Sequence, residues 1–297
     1  MRGAWNWPPC DCVGHGSFEL EIVPTLATDP FIENPMMLSP NLRSLARRGF
    51  TLIELVVVIA VLAILSTLVL PKLDLFKLKA GKAVAAADMA DVTRYVEGYR
   101  ISKDLFPNNW DSLLDSVATT QLYAHLHPNL LGPAASGIPG SPQKLMLATI
   151  GTDLELRSLN SVGITAVHDH DIGMAYPSDS AANTGVRTLH VGDSYATLNA
   201  LDPAAQETLA NLYPQTGGVV PSGKTVAILG LGPSNGIVGS QLHDAPTYPN
   251  ADHVTIYCRF LCAFEISADG KEARLLGTLG ADGDPLEGEI ADYYTTE

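Results

Sequence analysis

From Leu52 to Leu70 the chain reads LIELVVVIAVLAILSTLVL, nineteen residues with one charge, Glu54. At a helical rise of about 1.5 Å per residue this run covers about 28 Å, close to the roughly 30 Å hydrocarbon core of a bilayer. Thr51 suits the N-cap of such a helix. Beyond the run the pattern changes period. Leu73, Phe76, Ala80, Ala83, Val84 and Ala87, then Val92, Tyr95, Val96 and Tyr99, recur at steps of three and four, which predicts that the helix continues to Lys103. Pro71 stands at the join; lacking an amide hydrogen, it predicts a kink where the helix leaves the apolar run.

After Lys103 the periods shorten. Trp110 to Val117 reads as a helix, and residues 128–144, PNLLGPAASGIPGSPQK, as a loop. Strands are expected at Leu145–Ile150, Ile164–Val167, Val186–Val191 and Thr225–Leu231. Asp153 opens a short helix that Gly163 closes, and Asp202-Pro203 caps another that reaches Tyr213. Val254–Ile266 and Glu272–Leu279 flank the turn Ser267-Ala268-Asp269-Gly270, an antiparallel hairpin. The fold class is therefore α+β: a long N-terminal helix carrying an α/β head with an antiparallel C-terminal sheet. The expected organisation is a leader at 1–49, an N-terminal helix at 50–103 that spans a membrane over 52–70, and a globular head at 104–297.

Charge sharpens this picture. The net charge is −14 over 297 residues, so the chain has no bulk attraction for phosphate backbones, and no nucleic-acid partner is expected. Its basic residues cluster at Arg43, Arg47 and Arg48, then at Lys72, Lys77, Lys79 and Lys82, on either side of the apolar run. The arginines should hold their end in the cytoplasm, which predicts a single-pass inner-membrane protein with its head periplasmic. Glu54 is costly inside an apolar helix, and such a residue is a functional candidate whose partner must be named. Cys258, Phe260 and Cys262 share one face of the expected strand. Four residues there span about 13 Å, too far for a disulfide, so both cysteines read as core.

At Gly49-Phe50-Thr51-Leu52-Ile53-Glu54-Leu55 the chain resembles the cleavage and methylation motif of type IV prepilins and type II secretion system pseudopilins. The resemblance implies that a prepilin peptidase cuts between Gly49 and Phe50 and that the new amine of Phe50 is N-methylated. Glu54 then becomes the fifth residue of the mature chain and Pro71 the twenty-second. An ammonium at Phe50 can meet the Glu54 carboxylate of a neighbouring subunit, and in a low-dielectric helical core that pair sets the register of assembly. Lys103-Asp104-Leu105-Phe106-Pro107 is similar to the way pseudopilins close their long helix, and the likeness covers about residues 43 to 115. The 49-residue leader is long for such proteins. A start at Met36 or Met37 leaves an ordinary one, MMLSPNLRSLARRG, and makes residues 1–35 an upstream extension.

Other clusters admit chemistry and a plainer reading. Asp282, Asp284 and Glu287 are oxygen ligands on a Gly-rich turn; the resemblance implies calcium there, and an acidic surface turn is the alternative. His168-Asp169-His170-Asp171 carries transition-metal ligand types and otherwise reads as a solvated polar turn at a strand end. His125 and His127 read as exposed loop residues. Gly230-Leu231-Gly232 follows a strand, but no helix follows to bind phosphate, which excludes a dinucleotide site. Gly192-Asp193-Ser194 has no assignable triad partners.

The expected function is assembly, not catalysis, with no cofactor required: a structural subunit of a type II secretion pseudopilus or type IV pilus-like filament. Its partners would be the prepilin peptidase, other pilin or pseudopilin subunits and the inner membrane. The alternative is an exported ligand-binding or enzymatic domain on a pilin-type anchor, metal-dependent if His168 and His170 gain a third ligand.

Overall fold

Residues 50–115, 120–170, 185–249 and 255–295 are described by the structure, a computed structural model. The leader, with Gly49, and Asp171 lie outside these residues. The chain divides into two units, Met1–Leu55 and Val56–Glu297. In the first, the described part is the helix start. Thr51 caps it: its backbone amide and its hydroxyl donate to Glu54 Oε2 at 2.8 and 2.9 Å, and Glu54 N donates back to Thr51 Oγ1 at 3.3 Å. This reciprocal capping box satisfies backbone donors that a helix start leaves open.

Helix α1 runs unbroken from Leu52 to Lys103, through Pro71. Its described side chains from Leu52 to Thr67 are all exposed. Among the described residues no helix is long and apolar enough to cross a membrane; in the expected 52–70 span, the side chains after Thr67 lie outside the description. Further along, one face turns inward. Gly81, Ala85, Met89, Val92 and Val96 are buried at helical spacing, with Tyr95 and Tyr99 packed beside them. Earlier members of the sequence stripe, such as Phe76 and Val84, remain exposed.

The rest of the second unit comprises β1 (Trp110–Asp115), α2 (Pro128–Ser136), β2 (Leu145–Thr149), α3 (Asp153–Ser161), β3 (Ala166–His170), β4 (Val186–Thr188), β5 (Ser194–Leu198), α4 (Pro203–Leu212), β6 (Lys224–Gly230), β7 (Leu261–Ser267), β8 (Ala273–Leu279) and α5 (Leu286–Thr295). The architecture is α+β, an N-terminal helix followed by a mixed sheet in the order β2-β5-β6-β1-β3-β4, with β7 pairing β6 and β8. The C-terminal part, β6-β7-β8, is antiparallel as expected. Two strands were not foreseen: β5, and β1, which lies parallel to β3.

Two apolar clusters sandwich this sheet, and β7 shows why. Cys262, Phe264 and Ile266 face one cluster; Leu261 and Ala263 face the other. All seven residues of β7 are buried, five of them apolar, because the strand is covered on both faces. Phe106 and Trp110 meet Phe264 edge-to-face, with ring centroids 5.2 and 5.1 Å apart. Glu265, the one acid in β7, is held by Arg274 Nε at 3.0 Å and Tyr213 Oη at 2.8 Å.

Several sequence expectations need correction. Trp110–Val117 is not a helix: Trp110–Asp115 is a strand with all six residues buried, and burial on both faces suits a strand inside a sheet. Residues 128–144 are not all loop, because Pro128 starts α2 and His127 caps it. Val254–Ile266 is not one strand: β7 begins at Leu261, so Cys258 precedes it, although both cysteines are buried as expected. Residues 286–295, given no element from sequence, form α5.

His127 Nδ1 accepts from Asn129 N at 3.3 Å, which requires the neutral ring. Burial depresses its pKa below the ordinary value of 6.5, against an upward pull from Asp282 and Asp284; Lys144 and Lys82 push it further down. A histidine with a lowered folded pKa contributes stability above its unfolded pKa, and that stability is lost as pH falls below about 6.5. The expected result is that His127→Asn, which keeps a capping acceptor but does not titrate, loses less melting temperature than the parent between about pH 7 and pH 5. Parallel pH–melting curves for the two proteins would contradict it.

Candidate functional site

Of the processing and assembly residues predicted from sequence, Phe50 and Glu54 are described and lie at the start of α1, and Gly49 lies outside the described residues. Phe50 is 84% exposed and Leu52 81%. The Glu54 carboxylate, expected to meet a neighbouring subunit, is engaged within this chain by its own N-cap. From Leu52 to Thr67 the apolar side chains have no partner surface among the described residues. An exposed apolar surface of that length calls for lipid or protein around it.

The second place is the C-terminal acidic turn. Asp282, Asp284 and Glu289 bring carboxylate oxygens within 4.8 Å of one another. Glu287, the third ligand expected from sequence, is exposed; α5 turns Glu289 inward in its place. Lys82 on α1 reaches into this cluster, with Nζ 3.1 Å from Glu289, 3.1 Å from Asp292 and 3.8 Å from Asp282. Lys144 pairs with Asp284. Tyr248 Oη donates to Asp282 at 3.2 Å and also bonds Glu289. Burial pulls the Lys82 ammonium down, but the carboxylates of Glu289 and Asp282 outweigh it and hold it above the ordinary lysine range. Two ammonium groups already stand among these carboxylates, so the cluster as arranged is an ion-pair network tying α1 to α5. Calcium would have to displace Lys82 and Lys144.

The third place joins β1 and β3. Asp111 lies in register with His168, and His170 is two residues along the same strand face. His168 Nδ1 is 3.4 Å from Asp111 Oδ1, and His170 Nε2 is 3.8 Å from Asp111 Oδ2, with side chains at most 2% exposed. The expected solvated polar turn is thus a buried strand, because parallel pairing with β1 draws the segment into the sheet. Tyr257 Oη donates to Asp111 Oδ2 at 2.9 Å. The Tyr123 ring stacks on His170, with centroids 4.6 Å apart and planes at 26°. A Cβ at Gly232 would collide with the Asp111 carboxylate, and one at Gly230 with the Tyr257 hydroxyl. The two glycines that resembled a weak nucleotide motif therefore give room for this cluster.

Asp169 points to the opposite side, where Arg187 grips it through Nε at 2.6 Å and Nη2 at 3.1 Å. Arg187 also meets Asp193 at 2.7 Å, which assigns Gly192-Asp193-Ser194 to a turn and an ion pair. His125 and His127 are half-buried, not exposed. Sequence reasoning missed Asp111 because it placed that residue in a helix. The signal was present as an Asp beside Trp110, opposite a His-x-His alternation, but the pairing that joins them is not local.

A family model for the prokaryotic N-terminal methylation motif matches residues 45–70. Over 67 residues the chain is 36% identical to the type IV wide pilus major component of Thermus thermophilus, matching 23% of this chain and 51% of that protein. It is 28% identical over 131 residues to the type II secretion system core protein G of Klebsiella pneumoniae, covering 43% of this chain and 93% of that protein. The corresponding protein of Dickeya chrysanthemi is 36% identical over 67 residues, 23% of this chain and 44% of its own length. The chain thus spans about half the length of the Thermus and Dickeya relatives. No solved structure matches it. The likeness to type IV prepilins and type II secretion pseudopilins, read from Gly49 to Leu55, is borne out by these matches.

Proposed function

We propose that this chain, which carries the prokaryotic N-terminal methylation motif, is a structural subunit of a pseudopilus or pilus-like filament. A prepilin peptidase cuts it after Gly49, and Phe50 is methylated. The mature protein sits in the inner membrane through α1, its start cytoplasmic and its head periplasmic, until the helix packs among those of other subunits. Glu54 then exchanges its own N-cap for the Phe50 ammonium of a neighbour, and Pro71 lets the helix bend as it leaves the lipid. The observation that carries this reading is the segment itself: a motif match over residues 45–70 that takes in the start of a helix whose apolar side chains stand exposed from Leu52 to Thr67.

The rival reading, an anchored binding or enzymatic domain, needed a third ligand beside His168 and His170. Asp111 stands beside them, but the three side chains are sealed, at most 2% exposed, and offer no surface to a substrate. Assembly without catalysis is therefore the better reading.

Intact-mass and N-terminal peptide spectrometry on the membrane-extracted protein test it. The expected product begins at methylated Phe50; removing 49 residues from 297 leaves 248. A chain that keeps Gly49 joined to Phe50, or is cut elsewhere, overturns the proposal.

A further inference from the structure

We propose that Asp111, His168 and His170 bind one divalent transition-metal ion, zinc by the character of its donors, which staples β1 to β3 inside the head. Two imidazole nitrogens and one carboxylate oxygen converge within 4.8 Å of one another, all on buried residues. Such a set selects a transition metal; calcium and magnesium take oxygen shells instead. The spacing fits as well. Ligands about 2.0–2.1 Å from one zinc at tetrahedral angles stand about 3.3–3.4 Å apart, and His168 Nδ1 and Asp111 Oδ1 are 3.4 Å apart.

Asp111 supplies a second observation. Its side chain is 2% exposed, and among the described residues no group donates a hydrogen bond to Oδ1. A buried carboxylate oxygen in that position calls for a positive charge. The other oxygen is already held: Tyr257 donates to Oδ2, the kind of outer contact that fixes the direction of a ligating carboxylate. Tyr123 lies flat against His170 and limits its ring orientation. Gly230 and Gly232 keep the adjoining backbone clear of both Asp111 and Tyr257.

The consequence is mechanical. β1 and β3 are adjacent in the sheet, but Asp111 and His168 are 57 residues apart in the chain. An ion bound to both strands closes that loop in the folded state only, so its binding free energy becomes folding free energy. This role is independent of filament assembly.

The test uses the full chain, extracted in detergent, stripped with a chelator and then given zinc chloride or cobalt chloride alone. The expected result is one ion per chain by elemental analysis, visible absorption bands from the cobalt form and a raised melting temperature. Folded, stripped protein that takes up no zinc at saturation overturns the proposal. His170→Gln and Asp111→Asn should lose the ion; full retention by either also overturns it. Because those variants can fail to fold, Tyr257→Phe leaves every donor in place and should weaken zinc binding by about 10- to 100-fold. The Asp282→Asn/Asp284→Asn pair should still bind one zinc. Loss of zinc there would move the ion to the acidic turn and refute the assignment.

Discussion

Glu54→Gln should insert in the membrane and be processed like the parent, yet fall out of filaments. The structure makes glutamine the informative replacement. Glu54 completes a capping box with Thr51, through contacts of 2.8, 2.9 and 3.3 Å. Glutamine can serve that box nearly as well as glutamate, so the helix start survives. What it removes is the charge. In the proposed filament the Phe50 ammonium then lies among apolar helices with no counter-charge, a state far less tolerable than the matched pair. Shear-fraction or cross-linking assays should show filament incorporation lower by about tenfold or more, since one unmatched charge exceeds the 1.4 kcal/mol that a factor of ten represents. Glu54→Ala should behave alike and also fray the first turn. If the glutamine variant assembles normally, Glu54 is a cap and not a register-setting charge.

The second large effect is expected at Lys82. Its ammonium lies within 4 Å of Glu289, Asp282 and Asp292, and the Glu289 side chain is 0% exposed. Lys82→Met keeps the aliphatic stem and leaves these acids without their shared cation. Removing one member of a buried pair costs about 3–5 kcal/mol; with Lys82 partly solvated, about 3 kcal/mol is expected. For a domain of this size that corresponds to a fall in melting temperature of about 6–12 °C. The double variant Lys82→Met/Glu289→Gln should recover part of the loss, because the stranded charge goes with the lysine. A single variant that melts within a degree of the parent would show that the network contributes nothing to the head.

These two sites differ in how far the sequence revealed them. The Thr51 cap and the motif around it were legible because a cap, an apolar run and a lone acid are properties of neighbouring residues. The same holds for α4, where Asp202 accepts from Ala204 and Ala205 as its sequence predicts. It holds for α3, which opens at Asp153 as expected, with Thr152 as its cap. The acidic turn was half legible: Asp282 and Asp284 were identified, but Lys82 lies about 200 residues earlier in the chain, and Glu289 turns inward only because α5 forms.

Alone, the sequence determined the processing motif, the reach of the N-terminal helix to Lys103, the hairpin of β7 and β8, and the α+β class. Only the tertiary structure decided that Trp110–Asp115 is a strand, that it lies parallel to β3, and that His168 and His170 are buried beside Asp111. The division has one physical cause. Caps, turns and helical periodicity are set by interactions within a few residues, whereas a parallel strand draws both its hydrogen bonds and its burial from a partner elsewhere in the chain. A segment such as WDSLLD has no conformation of its own until that partner is in place.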